Sequence, residues 1–425
     1  MLFVVYPTIS HYISVLPISK AQKALGNSVY IGGTESYRYF VERQGFNFCK
    51  LEYYESFDLS ALRLLFVLFL KSFRKQFMQT RYKEFLRVGN HLVSQVANAG
   101  VSDVFLDAHL SFYCIFVPKA VRVTIVNTKL STLKSNGVPP LSSGVVLKAG
   151  LLARLWSDLI WYQLYLHNLL AVLKRRIAFH GADDSLFIRR VLSKRGLRYK
   201  DVFIPECKAA FYHEVNLDRV KLRTVITGLE KLEYEWKILH REETYFKMQP
   251  LMSFAKMEEW TALQSFIERY KETALLSDVR LIYVAFGTIT QRHSEQLRKF
   301  INKLITAFDR TPGYMVIIST GGISCDKFGV SDNIFLSRRV PQANVLEHCA
   351  AMITHGGMNS IRECFHFKVP MLVYPLRKFD QPGNAARVQY HKLGLKGSMR
   401  RDSVRTILKK TNIVANMDRN CFRSL

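Results

Sequence analysis

ITHGGMNSIRECFHFKVPMLVYPLRKFDQPGNAARV, residues 353–388, decides how the rest of the chain is read. A buried apolar strand ends at Thr354, His355 and two glycines follow, and helical spacing starts near Asn359 and Ser360. Gly356 and Gly357 let the backbone turn tightly and bring its N–H groups close to a bound oxygen. A helix N-terminus adds unpaired N–H groups and a partial positive charge, so the turn suits a diphosphate. His355, Asn359 and Ser360 supply side-chain donors. Glu363 stands one helical turn on, where a carboxylate accepts from both hydroxyls of a ribose. Taken alone, two glycines before a helix fit tight packing as well as they fit a phosphate.

The same rhythm extends in both directions. RLIYVAFGT (280–288), YMVIIST (314–320), NIFLSRRVP (333–341), AMITHGG (351–357) and VPMLVYP (369–375) are short apolar runs spaced by helical stretches. That pattern predicts a doubly wound α/β domain, which binds nucleotides at the carboxyl ends of its strands. At the other end, LFVVY (2–6) leads into a helix that runs to Leu25 and is stopped by Gly26-Asn27, and SVYIGG (28–33) is the next strand. Strand, helix, Gly stop, strand is a βαβ unit. VSDVFLDAHL (101–110) and RVTIVNT (122–128) add strands, and LRTVITG (222–228) is a strand-like piece in the charged stretch that follows. The expectation is an α/β protein with doubly wound domains at 1–230 and 231–400, and a short tail at 401–425.

Composition narrows the partners. The chain has 425 residues, 48% hydrophobic and 12% aromatic, which excludes a disordered polymer and suggests more than one core. Lys+Arg 61 against Asp+Glu 34 gives 61 − 34 = +27, a surface that attracts nucleotide, nucleic acid or anionic lipid, although solubility alone also accounts for it. No RNA- or DNA-recognition motif or aromatic ladder accompanies the charge, so nucleic acid is set aside. Seven scattered cysteines without a CxxC pair argue against a disulfide framework and a zinc site and fit the cytoplasm. The N-terminus reads as a strand, not a signal peptide. Residues 61–87 and 145–177 interleave apolar and basic residues: helices packed on the first sheet, helices lining an acceptor cleft, or helices lying on an anionic membrane.

Pro341-Gln342, THGGMNS (354–360), Glu363, VPML (369–372), Asp380-Gln381 and Asn384-Ala385 together resemble the donor-binding signature of the UDP-glycosyltransferase family. The match is contiguous over roughly fifty residues, in the family's order and spacing. The resemblance implies a GT-B architecture: two facing Rossmann-like doubly wound domains with the active site in the cleft between them. It implies that His355, Gly356, Gly357, Asn359 and Ser360 hold the diphosphate, Gln342 and Glu363 the ribose, and Asp380 and Gln381 the hydroxyls of the sugar. The backbone of Val340 would meet the base, and Thr288 would lie near the phosphates, unless it is an ordinary strand-to-helix turn. Two positions depart from the family. Arg339 stands where many relatives stack a tryptophan on uracil, which loosens the choice of base, and Lys368 replaces a usual glycine.

The opening YPTISHYISVLPISKAQKALGNSVYIGG (6–33) resembles the family's first strand, histidine loop and Gly-ended helix. That likeness implies that His11, on the loop after the first strand, is a general base and that Asp107 is its partner. The expected function is inverting, metal-independent transfer of a hexose from a UDP-sugar, UDP-glucose first, to a hydroxyl of a small or lipophilic acceptor. No Asp-x-Asp motif calls for a metal, and the donor is a co-substrate with no further cofactor. Two other readings stand beside it: a membrane-surface transferase acting on a lipid carrier or glycolipid, and a nucleotide-sugar-binding protein without turnover. A cytoplasmic or peripheral monomer or weak dimer is expected. Acceptor pockets are built from variable loops, so the acceptor is not legible. The tail after Leu395 is shorter than relatives usually have.

Overall fold

The computed structural model describes residues 1–55, 71–178, 185–210, 213–247, 260–287, 294–325, 328–376 and 379–423. The chain forms two compact units. The first comprises Met1–Gly137, Arg154–Gly228 and Ile238–Met248; the second comprises Val138–Ala153, Leu229–Lys237 and Gln249–Leu425.

In the first unit, β1 (Leu2–Val4) leads into α1 (Ile9–Ala24), β2 (Tyr30–Gly33), α2 (Arg38–Arg43) and β3 (Asn47–Lys50). The long helix α3 (Lys71–Asn98) precedes β4 (Asp103–Asp107) and β5 (Arg122–Asn127). Helices α4 (Leu151–Ala178), which belongs to this unit from Arg154 on, and α5 (Ser185–Ser193) come before β6 (Arg223–Ile226) and β7 (Glu243–Tyr245). The sheet order is β3-β2-β1-β4-β5-β6-β7, and every pairing is parallel. Strands covered on both faces read as apolar runs, which is why LFV needs no polar alternation. Phe85, Val88, Leu92 and Val96 form one stripe of α3 and pack in the cluster that holds Leu2, Val4, Val104 and Leu106. Burying each such side chain contributes about 1.5–3 kcal/mol.

The second unit runs α6 (Trp260–Leu276), β8 (Arg280–Ala285), α7 (Ser294–Phe308), β9 (Tyr314–Ser319) and β10 (Ile334–Ser337). It continues with α8 (Gln342–Leu346), β11 (Ala351–Thr354), α9 (Met358–Phe367) and β12 (Met371–Val373). It ends with α10 (Gln381–Tyr390), β13 (Gly394–Lys396) and α11 (Val404–Ala415). Its sheet is again all parallel, in the order β10-β9-β8-β11-β12-β13. Leu297, Phe300, Ile301 and Leu304 of α7 and Ile407 and Val414 of α11 cover one face.

The expected boundaries need three corrections. Residues 401–425 are no detached tail, because α11 is part of the second core. Glu243–Tyr245 forms the edge strand of the first sheet, beside β6, beyond the boundary expected at 230. Residues 138–153 and 229–237 belong with the second unit. Gly383 N donates to Leu141 O at 2.8 Å, and a Cβ on Gly383 would stand 2.5 Å from that oxygen. Arg387, almost wholly buried, donates through Nε to Glu233 Oε2 at 3.2 Å, with its guanidinium 4.7 Å from the Tyr234 ring centre. A buried pair loses strongly when either partner is removed, since the other charge is stranded. Such long-range contacts have no local sequence signal. The seven cysteines are free thiols. Among the described residues no helix is long and apolar enough to cross a membrane.

Candidate active site

Each sheet has one place where the chain reverses direction of travel: between β1 and β4 in the first, between β8 and β11 in the second. Loops leave the carboxyl ends of such neighbouring strands toward opposite faces, and the gap they open is where doubly wound sheets bind ligands. Both clusters of candidate residues lie at these points.

In the first unit, Asp107 ends β4, and Val4, the last residue of β1, is in register with Leu106. His11 lies in the first turn of α1, not on the preceding loop as expected. The helix starts at Ile9, immediately after Pro7-Thr8, and so carries the imidazole above the strand ends. His11 Nδ1 is 2.5 Å from Asp107 Oδ2. An ionised carboxylate only accepts, so Nδ1 carries the proton and Nε2 keeps a lone pair. Thr128 Oγ1 lies 3.5 Å from the same Nδ1, and the Tyr6 ring is tilted at 5.3 Å.

The other carboxylate oxygen is also engaged. Asp107 Oδ1 accepts from His109 N at 2.9 Å and is 3.1 Å from His109 Nδ1. Lys129 Nζ donates to His109 Nε2 at 3.0 Å, which fixes the His109 proton on Nδ1. The surrounding protein and the Lys129 charge lower the His109 imidazole below its usual range. Burial would raise the Asp107 carboxyl, but the two histidines outweigh it and hold it well below the usual carboxylate range. The result is a buried, permanently charged carboxylate between two imidazoles, only one of which has an uncommitted nitrogen in these contacts.

In the second unit, Ala285 of β8 is in register with Thr354 of β11. Phe286-Gly287 and His355-Gly356 therefore leave the sheet side by side. Gly287 (φ +73°) and Gly356 (φ +84°) adopt left-handed backbone that side chains disfavour. A Cβ on Gly287 would reach within 2.7 Å of His355 Cε1, and one on Gly357 would collide with His355 Nε2. The imidazole is thus flanked by two residues without side chains. Gly357 is also the N-cap of α9 and has no side chain with which to close that helix end. Asn384 Nδ2 donates to Gly356 O at 2.9 Å and pins the turn to α10.

Gln342, the first residue of α8, donates to Glu363 Oε2 on α9. Burial lifts the Glu363 carboxyl to about 7, against the opposing pull of Gln342 and Arg362. Burial likewise draws the Arg362 guanidinium down to about 10, and it donates to Asn359 Oδ1. Ser360 is buried in the first turn of α9. Asp380 stands at the N-cap position of α10 without a side-chain capping bond, and its Oδ2 accepts from Asn384 Nδ2 at 3.2 Å. Gln381 is buried, and its Oε1 is taken by Leu376 N at 2.8 Å. Arg339 is exposed and Val340 follows it, ahead of α8. Thr288 lies outside the described residues. Sequence reasoning missed the part of Gly287, read as the end of a strand, and of Arg362 and Lys129.

Residues 276–417 match the family model described as UDP-glucoronosyl and UDP-glucosyl transferase. Over this segment the chain is similar to the UDP-glycosyltransferase family. The uncharacterized UDP-glucosyltransferase YdhE of Bacillus subtilis (strain 168) is 40% identical over 114 residues, 27% of this chain and 28% of that protein. The zeaxanthin glucosyltransferase of Pantoea ananas is 29% identical over 140 residues, 32% of this chain and 31% of its own length. The matches thus span less than a third of these relatives. Among solved structures, the glycotransferase of kitacinnamycin superposes with a TM-score of 0.62 at 14% identity, covering 100% of this chain and 92% of that one. CalG4, the calicheamicin glycosyltransferase, gives 0.61 at 14% identity, with the same coverage. At such identity the likeness is one of fold, the two-Rossmann-domain GT-B class that the paired parallel sheets already display. The matched segment contains every donor-signature residue from Thr288 to Gln381; His11 and Asp107 lie before it.

Proposed function

We propose that the protein is a glycosyltransferase that moves a hexose from a UDP-sugar to an acceptor hydroxyl in one displacement with inversion. The observation that carries the reading is the 2.5 Å contact between His11 Nδ1 and Asp107, which leaves Nε2 as a basic nitrogen on a switch-point helix. The acceptor oxygen forms a bond to the anomeric carbon while its proton passes to His11 Nε2. The bond from that carbon to the β-phosphate oxygen breaks, and UDP departs with the electron pair. Asp107 balances the charge that arrives on the imidazole.

In the matched segment, the N–H groups at the start of α9 and the His355 ring would stabilise the leaving diphosphate. Glu363, aligned by Gln342, would accept from the ribose hydroxyls. Asp380 would accept from a sugar hydroxyl, and Gln381, its carbonyl already used, would donate through its amide. Val340 would offer its backbone to the base and Arg339 a guanidinium plane for stacking. The similarity to the zeaxanthin glucosyltransferase of Pantoea ananas supports glucose as the group moved. No step in this scheme draws on a metal ion.

The test is transfer from UDP-glucose to a panel of hydroxylated acceptors, with UDP affinity measured by calorimetry. His11→Ala should lower turnover by about 10³-fold or more while UDP affinity stays within about twofold. An active His11→Ala enzyme overturns the assignment.

A further inference from the structure

An amphipathic helix ordinarily turns its apolar stripe to the core. Helix α4 does the opposite over most of its length. Ser157, Trp161 and Val172 face inward. Leu155, Trp156, Leu159, Tyr162, Leu166 and Leu170 recur every three or four residues on the other side, all exposed. Leu155 is 60%, Trp156 57% and Tyr162 66% exposed, and Ile177 near the helix end reaches 76%. A contiguous apolar surface of this kind marks an interaction site, since water gains nothing from it.

Charge selects the occupant. Residues 151–178 contain Arg154, Lys174, Arg175 and Arg176 against Asp158 alone, 4 − 1 = +3. Asp158 is itself paired with Lys134 Nζ at 2.7 Å. The exposed Lys174 and Arg176 lie at one end of the stripe and the exposed Arg154 at the other. A second copy of this chain would bring another +27 body against the same basic rim, so self-association across α4 works against its own charge. An anionic bilayer gains from both the rim and the stripe. Trp156 and Tyr162 are the side chains that favour the headgroup level, apolar in body and polar at the tip.

We propose that α4 docks the protein on an anionic lipid surface, lying in the interface plane with this stripe among the outer acyl chains. The proposal rests on α4 alone and stands or falls separately from the transferase reading. The full chain should co-sediment with phosphatidylcholine vesicles that contain phosphatidylserine, far less with phosphatidylcholine alone, and less as salt rises. Trp156 emission should shift to the blue on binding, and Trp156→Phe should lose that shift. The pair Leu159→Asp and Leu166→Asp should weaken vesicle binding by roughly tenfold or more, with circular dichroism and thermal unfolding unchanged because both side chains are exposed. Should that pair fail to fold, Lys174→Glu with Arg176→Glu reads the same contact and should abolish the phosphatidylserine dependence. Absence of vesicle binding overturns the proposal, as does binding that these folded variants leave intact. So does a dimer in sedimentation equilibrium that the leucine pair dissolves without any vesicle binding.

Discussion

Each domain places a histidine at the switch point of its sheet, His11 after the strand β1 and His355 after β11, and surrounds it in an opposite way. His11 sits against a buried carboxylate, with a second imidazole on that carboxylate's far oxygen. His355 sits against Gly287 and Gly357, two residues that themselves carry no side chain. A carboxylate partner fixes a tautomer and prepares a nitrogen to receive a proton. Bare glycines beside a helix N-terminus leave room and N–H groups for an anion. The doubly wound sheet decides where a site forms, and the neighbours of one imidazole decide whether it is suited to proton transfer or to phosphate.

If the contrast is chemical, the largest effect belongs to the carboxylate. Asp107→Asn keeps the shape of the side chain but offers His11 an amide in place of an obligate acceptor. Turnover should fall by about 10²–10⁴-fold, with UDP affinity within about twofold by calorimetry. Turnover near that of the parent protein would mean that His11 needs no carboxylate, and the two domains would no longer differ in this respect.

The glycine side gives the reverse signature. Gly287→Ala places a Cβ 2.7 Å from the His355 ring, at a backbone φ of +73°. UDP affinity should drop about tenfold and KM for the donor should rise, with kcat changed far less. Thermal unfolding should report a loss of roughly 1–2 kcal/mol from the left-handed backbone. A fall in kcat with unchanged donor KM would place His355 in the chemistry and not in the cradle.

Much of this contrast was legible beforehand, and the reasons differ by residue. The turn at Gly356-Gly357 and the strand ending at Thr354 follow from local patterns, glycine and apolar runs, whereas the grouping of Gln342 with Glu363 rests on the family resemblance and the first strand, read to Tyr6, stops at Val4. Strand 47–50, strand 243–245 and strand 394–396 were missed because three or four residues carry too little periodicity to stand out. The assignment of 138–153 and 229–237 to the second domain depends on Leu141 meeting Gly383 and Glu233 meeting Arg387. Those partners are far apart in the chain, and nothing local in the sequence marks them. His109 was visible as a neighbour of Asp107, but its hold on the second carboxylate oxygen depends on Lys129, twenty residues away.

A pH series sharpens the donor side. Burial raises the Glu363 carboxyl to about 7, so its charged form is disfavoured in the folded protein. Between the ordinary glutamate value near 4.5 and about 7, the folded chain holds a proton that the unfolded chain has released. Stability without ligand should therefore fall as pH rises through that window and level off above it. UDP binding should run the other way, strengthening several-fold from pH 6 to pH 8 as the carboxylate forms and accepts from the ribose. Glu363→Gln should flatten both profiles. Profiles unchanged in that variant would assign the titration to another group.

The smallest effect concerns how each domain ends its key helix. Both α1 and α9 finish in the same pattern: Asn27 N returns to Gln22 O at 3.2 Å, and Val369 N returns to Cys364 O at 2.8 Å. That motif requires a left-handed residue just before its last N–H, and glycine takes the position without cost. Gly26 does so at φ +83°, whereas Lys368 is forced to +55°. Lys368→Gly should therefore stabilise the protein by about 0.5–1 kcal/mol, the relief of the left-handed strain less the extra freedom of glycine in the unfolded chain. Gly26→Lys should lose a similar amount, and no packing term enters, because nothing lies within 4 Å of a Cβ at Gly26. Equal and opposite shifts in the denaturant midpoint would show that backbone conformation alone separates the two helix ends. If Lys368→Gly instead destabilised the fold, the lysine side chain would have to make a favourable contact that outweighs the strain.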